Sequence, residues 1–589
     1  MLSHRLVFVL SVSFYFLHSL ARADLPIHAL TSDAIGLWRI LQTDTLHEEP
    51  QTCGSTVPNT NTANLKLGDY RKYLESRYGD LKESIIELVD ERYHRRSEIP
   101  PRNHWLYLGV RSPQSHDDFV GIWTMVYDEG VSIDIGPTRY FGYFKYYQVE
   151  NSECPMVMDG SQTDSYGNAK CYKTEPYEIR LGWVTKKIYK DGKPKNMYGC
   201  FYAEKIKKDA LHSYVLDESA TAPISKANSG SSGLWQRKSY SQFSDLSPFR
   251  FMQLHKGVSY RSLHHSHGSH AKDSLNEMVT RFMQTEGERR YHACKTTSGE
   301  DDYFRELALP KNWSWGDSFE GDEDTIQPFS QGQCGSCYAM ASVYAFSKRV
   351  GILLKKMYPH KSWENLPRPS VQDIVECSPF GQGCFGGFPF LVGKHLSELG
   401  GLDESESPYN MYLESEVATC STKYLADQNR WFASAYGYVG GCYECTNEFE
   451  IMKEIYNHGP VVAAIDAPQS LFNYHRGEFL ILITNVFKGI YDDESSTHGS
   501  TCDLPLSGLN GWEYTNHAIA IVGWGEEEID GKINKFWICR NTWGNNWGEG
   551  GFFKLKRGVN QCSIESHAVY IDPDLTRGIP EKLIRDALS

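Results

Sequence analysis

Gln331-Gly332-Gln333-Cys334-Gly335-Ser336-Cys337-Tyr338 is the stretch on which the reading of this chain turns. Two cysteines flank Gly-Ser, and a helix-compatible run follows from Tyr338 to Val350. A thiol attacks as its thiolate, and the unpaired amides and dipole of a helix N-terminus favour negative charge there. Cys337 stands where that helix would begin, which makes it the candidate nucleophile. A redox Cys-x-x-Cys pair is the rival reading, but that chemistry has no use for the distant groups described next.

A cysteine nucleophile needs a base within hydrogen-bond reach and a third group that holds the base in one tautomer. Thr515-Asn516-His517-Ala518-Ile519 sets a histidine at the head of an apolar strand, and Asn541-Thr542-Trp543-Gly544 follows 24 residues later, after a hairpin-like return. Asn541 can accept from the imidazole of His517, and Trp543 can shield that bond from water. Gln331, six residues before Cys337, offers a side-chain amide that, with the Cys337 backbone N–H, can donate to a developing oxyanion. A thiolate–imidazolium pair of this kind works near neutral or mildly acidic pH.

With 589 residues the chain exceeds what one core usually serves, so two or more domains are expected. Its 40% hydrophobic content is globular, and a formal charge of -14 without a long Lys/Arg run argues against nucleic-acid binding. Residues 1–23 read as a secretory signal: Arg5, a mostly apolar stretch from Leu6 to Leu20, then Ala21-Arg22-Ala23. No later stretch approaches a membrane-spanning length. In a secreted chain the fifteen cysteines are expected mostly in disulfides, the odd one out being available as a nucleophile.

Residues 24–216 form the first expected domain. Short β-prone runs at Val120-Gly121-Ile122-Trp123 and Val131-Ser132-Ile133, the aromatic run Tyr140 to Tyr147, Gly182-Trp183-Val184 and Cys200-Phe201-Tyr202 fit a small antiparallel barrel or sandwich, with the aromatics as its core. Leu67 to Arg92 reads as a helical insertion. Residues 217–308 read as a linker and a processing segment, including His264-His265-Ser266-His267-Gly268-Ser269-His270, whose histidines have no fixed metal geometry. Residues 309–589 place helices first and strands later, an α+β unit with a cleft between two walls. Asn312-Trp313-Ser314 is a glycan acceptor sequence, and Gly386-Gly387 suits a backbone edge approached by an extended peptide.

These motifs together resemble the papain-like cysteine peptidase family over about residues 309–575. With Gly383 to Pro389, Tyr438-Val439-Gly440-Gly441 and Cys562 to Ser566, and more loosely Ile35 to Trp38, Phe144-Lys145-Tyr146 and Gly182-Trp183, the arrangement resembles its cathepsin C branch. The resemblance implies an α+β fold: a papain-like two-lobed catalytic domain with an N-terminal antiparallel β-barrel exclusion domain. It implies an exopeptidase that releases dipeptides, with Cys337, His517, Asn541 and Gln331 as its catalytic set. Asp24, the first residue after the signal, becomes the anchor for the substrate α-amine, since a carboxylate against an ammonium accounts for both the exopeptidase preference and the two-residue register.

The resemblance further implies disulfides Cys334–Cys384, Cys377–Cys420 and Cys53–Cys200. Cys154 and Cys171 are expected to pair with each other, because the family's early exclusion-domain cysteine is missing near His28. Gly386, Gly387, Pro389, Phe390 and His567 fall in the pocket for the second substrate residue from the scissile bond. There the family holds a chloride through a tyrosine hydroxyl. Phe390 stands at the matching position, which argues against halide dependence, and His567 stands where the family has isoleucine. Peptides with free N-termini as substrates, an activating protease, a homo-oligomer and a lysosome-like or secreted location are also implied, with no nucleic-acid or membrane partner. The rivals are a papain-like endopeptidase with an accessory domain and an inactive papain-like binding protein. Activity on a free-amine substrate but not its N-acetyl form separates the first, and covalent labelling of Cys337 the second.

Overall fold

The computed structural model describes residues 29–59, 64, 66–95, 102–113, 115–148, 172–190, 192–206, 235–237, 309–316, 330–410, 420, 429–443, 445–479, 515–529 and 531–589. In its first part, eight strands follow one another: β1 (Gly36–Thr43), β2 (Leu81–His94), β3 (Leu106–Ser112), β4 (Ser115–Val126), β5 (Gly130–Ile135), β6 (Thr138–Gln148), β7 (Tyr172–Lys190) and β8 (Lys193–Lys205). Each pairs antiparallel with its sequence neighbour, and β1 also pairs with β8, so the sheet closes on itself. Trp38, Ile40, Trp123, Phe141, Phe144 and Phe201 are buried within this unit. The aromatic run from Tyr140 is therefore mostly interior, but part of it also faces the second domain. Phe141 stands edge-on to Phe380, and the Tyr143 hydroxyl donates to the Phe380 carbonyl at 2.8 Å.

One expected element is corrected. The helix read over Leu67 to Arg92 is confined to Tyr70–Tyr78, and Leu81–His94 is strand β2. Gly79, at φ 84, ends the helix, a left-handed position that costs glycine least. Beyond it, the run of Glu and Lys has helical composition, but Ile86 and Leu88 alternate onto the core and pairing with β1 and β3 decides the outcome.

The second part is built on a sheet whose strands are β9 (Trp235–Arg237), β10 (Trp313–Ser314), β13 (Ala433–Tyr438), β14 (Val461–Ile465), β15 (Tyr474–Phe479), β16 (His517–Ile529), β17 (Lys532–Arg540), β18 (Phe552–Lys556) and β19 (Ala568–Pro573). A separate ribbon joins β11 (Gly401–Leu402) to β12 (Arg430–Trp431). The sheet order is β13-β19-β14-β16-β17-β18-β15-β9, with β10 added on β16. Helix α1 (Cys337–Met357) packs against β16 and β19, and α2 (Val371–Cys377) and α3 (Pro389–Glu398) lie beside it. The long helix carries its apolar residues, Ala341, Val343, Phe346 and Val350 among them, into that packing. Trp235–Arg237, in the segment read as a propeptide-like region, pairs antiparallel with Tyr474 to Gly477 at the sheet's edge.

Polar contacts fix the barrel to the second part. Thr185 donates to Glu398 at 2.7 Å, the Tyr198 hydroxyl to the Glu398 carbonyl at 2.5 Å, and Tyr443 N–H to the Thr124 hydroxyl at 2.9 Å. Arg102, buried at the junction, donates to Glu454 at 2.9 Å and Asp572 at 2.6 Å, while Arg349 of α1 reaches the same two carboxylates at 2.8 and 2.6 Å. Among the described residues no helix is long and apolar enough to cross a membrane.

Candidate active site

Cys337 is the first residue of α1, and its side chain is wholly buried. Ser336 precedes it without capping the helix. Its hydroxyl pairs instead with the Tyr409 hydroxyl at 2.7 Å, which leaves the helix end to act on Cys337. The disulfide Cys334–Cys384 and the bond from Gly335 N–H to the Cys384 carbonyl at 3.0 Å pin the loop just before the nucleophile. Cys337 and Cys539 are the cysteines outside any disulfide among the described residues.

His517 opens β16, the strand against which α1 packs, and the next residue closes the gap: Ala518 N–H donates to the Cys337 sulfur at 3.2 Å. The antiparallel register of β16 with β17 sets Arg540 opposite Ala520, so the chain leaving β17 delivers Asn541 beside His517. Asn541 Oδ1 lies 2.8 Å from His517 Nε2, which makes Nε2 the protonated nitrogen of a neutral ring and leaves Nδ1 without a hydrogen-bond partner. The Trp543 ring stacks on the imidazole at 4.8 Å and screens that bond. Burial pushes the His517 pKa down to about 4, while the bond to Asn541 pulls the other way. The ring is therefore held neutral here, and an imidazolium requires the negative sulfur of an ionised Cys337 beside it.

Gln331 is stitched to the same strand end. Its N–H donates to the Thr542 carbonyl at 2.9 Å, and the Thr542 hydroxyl donates to its Oε1 at 2.6 Å. With Oε1 occupied, Nε2 is the end of the amide turned toward the loop before Cys337, where it donates to the Cys334 carbonyl at 3.1 Å. Thr542 and Tyr409, whose hydroxyl donates to the Gln331 carbonyl at 2.8 Å, are positioning residues that sequence reasoning missed. Thr542 sits inside the quoted Asn-Thr-Trp-Gly motif, so a signal for it was present.

Two of the residues expected in the pocket, Phe390 and His567, fall in one aromatic group through Tyr438 and Tyr443. Gly386 has φ 119, and a Cβ on Gly387 would stand 2.7 Å from the Tyr338 ring, so neither position accommodates a side chain cheaply. Pro389 starts α3, where a missing N–H is no loss. Phe390 stacks on Tyr438 at 5.0 Å, and His567 stacks on Tyr443 at 4.6 Å. One member of this group comes from the barrel. Tyr127, on the β4–β5 turn, lies 4.1 Å from Phe388 and 5.2 Å from His567 between ring centroids, and its N–H donates to the Tyr438 hydroxyl at 3.3 Å. Nothing in the sequence marked Tyr127 beyond its place in a Tyr-Asp-Glu-Gly turn.

Phe390 carries no hydroxyl, but the Tyr438 beside it does, and that oxygen accepts from Tyr127 while keeping its own O–H to donate.

Cys377–Cys420 and Cys53–Cys200 are joined, as is Cys442–Cys445, for which the sequence suggested no pairing. Asp24, Cys154, Cys171, the 1–23 signal and the histidine-rich stretch lie outside the described residues. Asn312 is exposed beside β10, its Oδ1 accepting from Glu526 N–H at 2.8 Å. No group of metal-ligating side chains occurs among the described residues.

Comparison with known proteins agrees with this geometry. Residues 309–571 match the model for the papain family cysteine protease, and residues 24–176 match the cathepsin C exclusion domain. Dipeptidyl aminopeptidase 1 of Plasmodium falciparum is 29% identical over 95% of this chain and 95% of its own length. Cathepsin C of Schistosoma mansoni is 31% identical over 45% of this chain and 52% of its own. Among solved structures, procathepsin B S9 from Trypanosoma congolense covers 58% of this chain and 94% of its own at 19% identity and a TM-score of 0.38. The chain belongs to the papain family of cysteine peptidases, related to cathepsin C and dipeptidyl aminopeptidase 1 and bearing the cathepsin C exclusion domain.

Proposed function

We propose that this cysteine peptidase removes dipeptides from free N-termini. In the reaction Cys337 Sγ attacks the second peptide carbonyl, the thiol proton having passed to His517 Nδ1. The oxyanion is met by the Cys337 N–H and Gln331 Nε2, and His517 returns its proton to the leaving amine. Water, deprotonated by the same nitrogen, then resolves the thioester. Asn541 keeps the ring in the tautomer that leaves Nδ1 able to accept. The Ala518 N–H steadies the negative sulfur.

The observation that carries the exopeptidase reading is the barrel's position at the cleft. Its Tyr127 turn reaches the residues around Cys337, and the carbonyl of Asp128 in that same turn accepts from Ala29 N–H at 2.8 Å. The chain five residues after Asp24 is thus tied to the cleft end, which supports Asp24 as the carboxylate that receives the substrate ammonium. Residues 24–216 then serve as the exclusion domain, 217–308 as linker and propeptide-like region removed by an activating protease, and 309–589 as the peptidase domain. Passage through the secretory pathway to a lysosome-like compartment and a glycan on Asn312 complete the reading, and Phe390, without a hydroxyl, argues against chloride dependence.

The test compares a dipeptidyl fluorogenic amide with its N-acetyl form. Hydrolysis of the free amine only, lost in Asp24→Ala, is the expected result. Equal turnover of both substrates overturns the reading in favour of an endopeptidase.

A further inference from the structure

The hairpin that joins β7 to β8 is strongly basic in an acidic chain. Five of the ten residues from Lys186 to Lys195 are lysines and Asp191 is their one acid, whereas the whole chain carries 60 basic and 74 acidic residues. The strand register sorts these lysines. Lys186 lies opposite Met197, Ile188 opposite Lys195 and Lys190 opposite Lys193, so Lys186, Lys190, Lys193 and Lys195 share one face. The other face is the docked one. Thr185, Asn196 and Tyr198 lie on it, and all three donate to Glu398.

The arm reaches past the barrel. β6 begins at Thr138 opposite Lys186, and β1 accompanies β8 only as far as Gln42 opposite Phe201. Among the described residues, Lys187 to Lys195 therefore pair as strands only with each other, and a two-stranded ribbon is marginal by itself. Lys190 directly across from Lys193 weakens it further, since like charges in that position repel. Lys186 and Lys190 are exposed, and the Lys193 side chain is 72% exposed. Two carboxylates answer part of the charge: Glu48 meets Lys195 at 2.8 Å, and Glu581 of the C-terminal helix meets Lys193 at 3.6 Å. Four cations against two anions leave this face positive. Lys186 and Lys190 stand about 13 Å apart along the strand, with Lys193 and Lys195 beside them on the partner strand.

We propose that this face is a docking site for a sulfated polysaccharide. A linear polyanion can lie along the strands and meet the lysines in succession, relieving the repulsion between Lys190 and Lys193. Lysine rows of this kind suit heparin-like or nucleic-acid chains, and along the secretory route proposed above the polyanion met is the sulfated one. A bilayer fits less well. It takes aromatic side chains at its interface together with cations, and the exposed aromatic of this arm, Tyr189, lies on the opposite face. In an antiparallel barrel successive turns alternate between its ends, so the β7–β8 turn lies at the end away from the Tyr127 turn. The docked polysaccharide then leaves catalysis untouched.

The test measures binding of the full chain to heparin, to phosphatidylserine vesicles and to a single-stranded DNA oligomer at about 0.15 M salt. Wild type is compared with Lys186→Gln/Lys190→Gln/Lys193→Gln and with a charge-matched control, Lys66→Gln/Lys355→Gln/Lys361→Gln, whose lysines are exposed elsewhere. Wild type is expected to bind heparin, more weakly as salt rises. The arm variant should bind roughly 100-fold more weakly, and the control as wild type does. All three should hydrolyse a peptidyl amide equally. Failure of wild type to bind heparin overturns the proposal, and so does an equal loss in the control, which would make net charge the cause. Tighter binding of vesicles, lost in Tyr189→Ala, would assign the arm to a membrane and overturn it. Tighter binding of DNA would overturn it in favour of nucleic acid, and with it the secretory context on which the choice of polyanion rests.

Discussion

The backbone N–H of Ala518 points at the sulfur of Cys337 from 3.2 Å, across 181 residues of sequence. The contact joins the start of a helix to the start of a strand, and it puts His517 beside the thiol without relying on the thiol's own hydrogen bonds. The helix end and this N–H both favour a negative sulfur.

Cys337→Ala is therefore expected to abolish both turnover and covalent labelling by an epoxide inhibitor. Cys539→Ala should leave both intact, because Cys539 is wholly buried and its thiol pKa is pushed up by desolvation. Mass analysis of the labelled protein decides. Label retained in Cys337→Ala would assign the nucleophile elsewhere.

Gln331 is held from its carbonyl end by Thr542, so its amide orientation depends on a residue of the opposite wall. Gln331→Ala should lower kcat by about 100-fold or more with little change in KM, as expected for a donor used mainly in the transition state. Thr542→Val keeps the amide but loosens it, and should cost less. A purely structural role for Gln331 predicts instead a parallel loss of stability, readable from Tm.

The four catalytic candidates were legible because each lies in a short string with its own chemistry, and the structure brings Cys337, His517, Asn541 and Gln331 together. What escaped were relationships that no local string encodes. The helix read over Leu67 to Arg92 fell, beyond Tyr78, to pairing with β1 and β3. Tyr127 joins the aromatic group around Tyr438 and His567 only because a barrel turn reaches it.

Acid should destabilise the protein through its buried histidines. Burial lowers His517 to about 4 and His567 to about 3, both below the unfolded value of 6.5. Between those limits the unfolded chain binds more protons, so stability is full above about pH 6.5 and declines as pH falls toward the folded values. The loss at pH 4 is on the order of 3 kcal/mol for each ring. Paired Glu454 and Asp572 have lowered pKa values, so their contribution lies above the carboxylate range and survives most of this window. His567→Leu should show a smaller fall in Tm between pH 7 and pH 4 than wild type. An equal fall would mean that His567 binds a proton in the folded state as readily as in the unfolded chain.

Arg102 is where the barrel's hold on the peptidase domain should be most sensitive. Its guanidinium is buried between Glu454 and Asp572, stacks over the Tyr570 ring at 3.8 Å, and shares both carboxylates with Arg349. Two cations against two anions is a balanced cluster. Removing one cation leaves a buried carboxylate charge uncompensated, a change that costs about 3–5 kcal/mol where such pairs have been broken. Arg39, by contrast, meets Glu83 and Glu204 on the barrel surface, and its loss should be nearly silent. Arg102→Ala is thus expected to lower Tm by several degrees and Arg39→Ala hardly at all. Because Arg102 belongs to the barrel and its partners to the peptidase domain, the damage should also reach specificity. A loosened barrel exposes the cleft end, so the variant should gain activity on N-acetylated substrate relative to the free amine. Arg102→Met, with Glu454→Gln to remove the stranded charge, should recover Tm but not the amine preference if the ion pairs orient the barrel. Recovery of both would make the cluster a matter of packing alone.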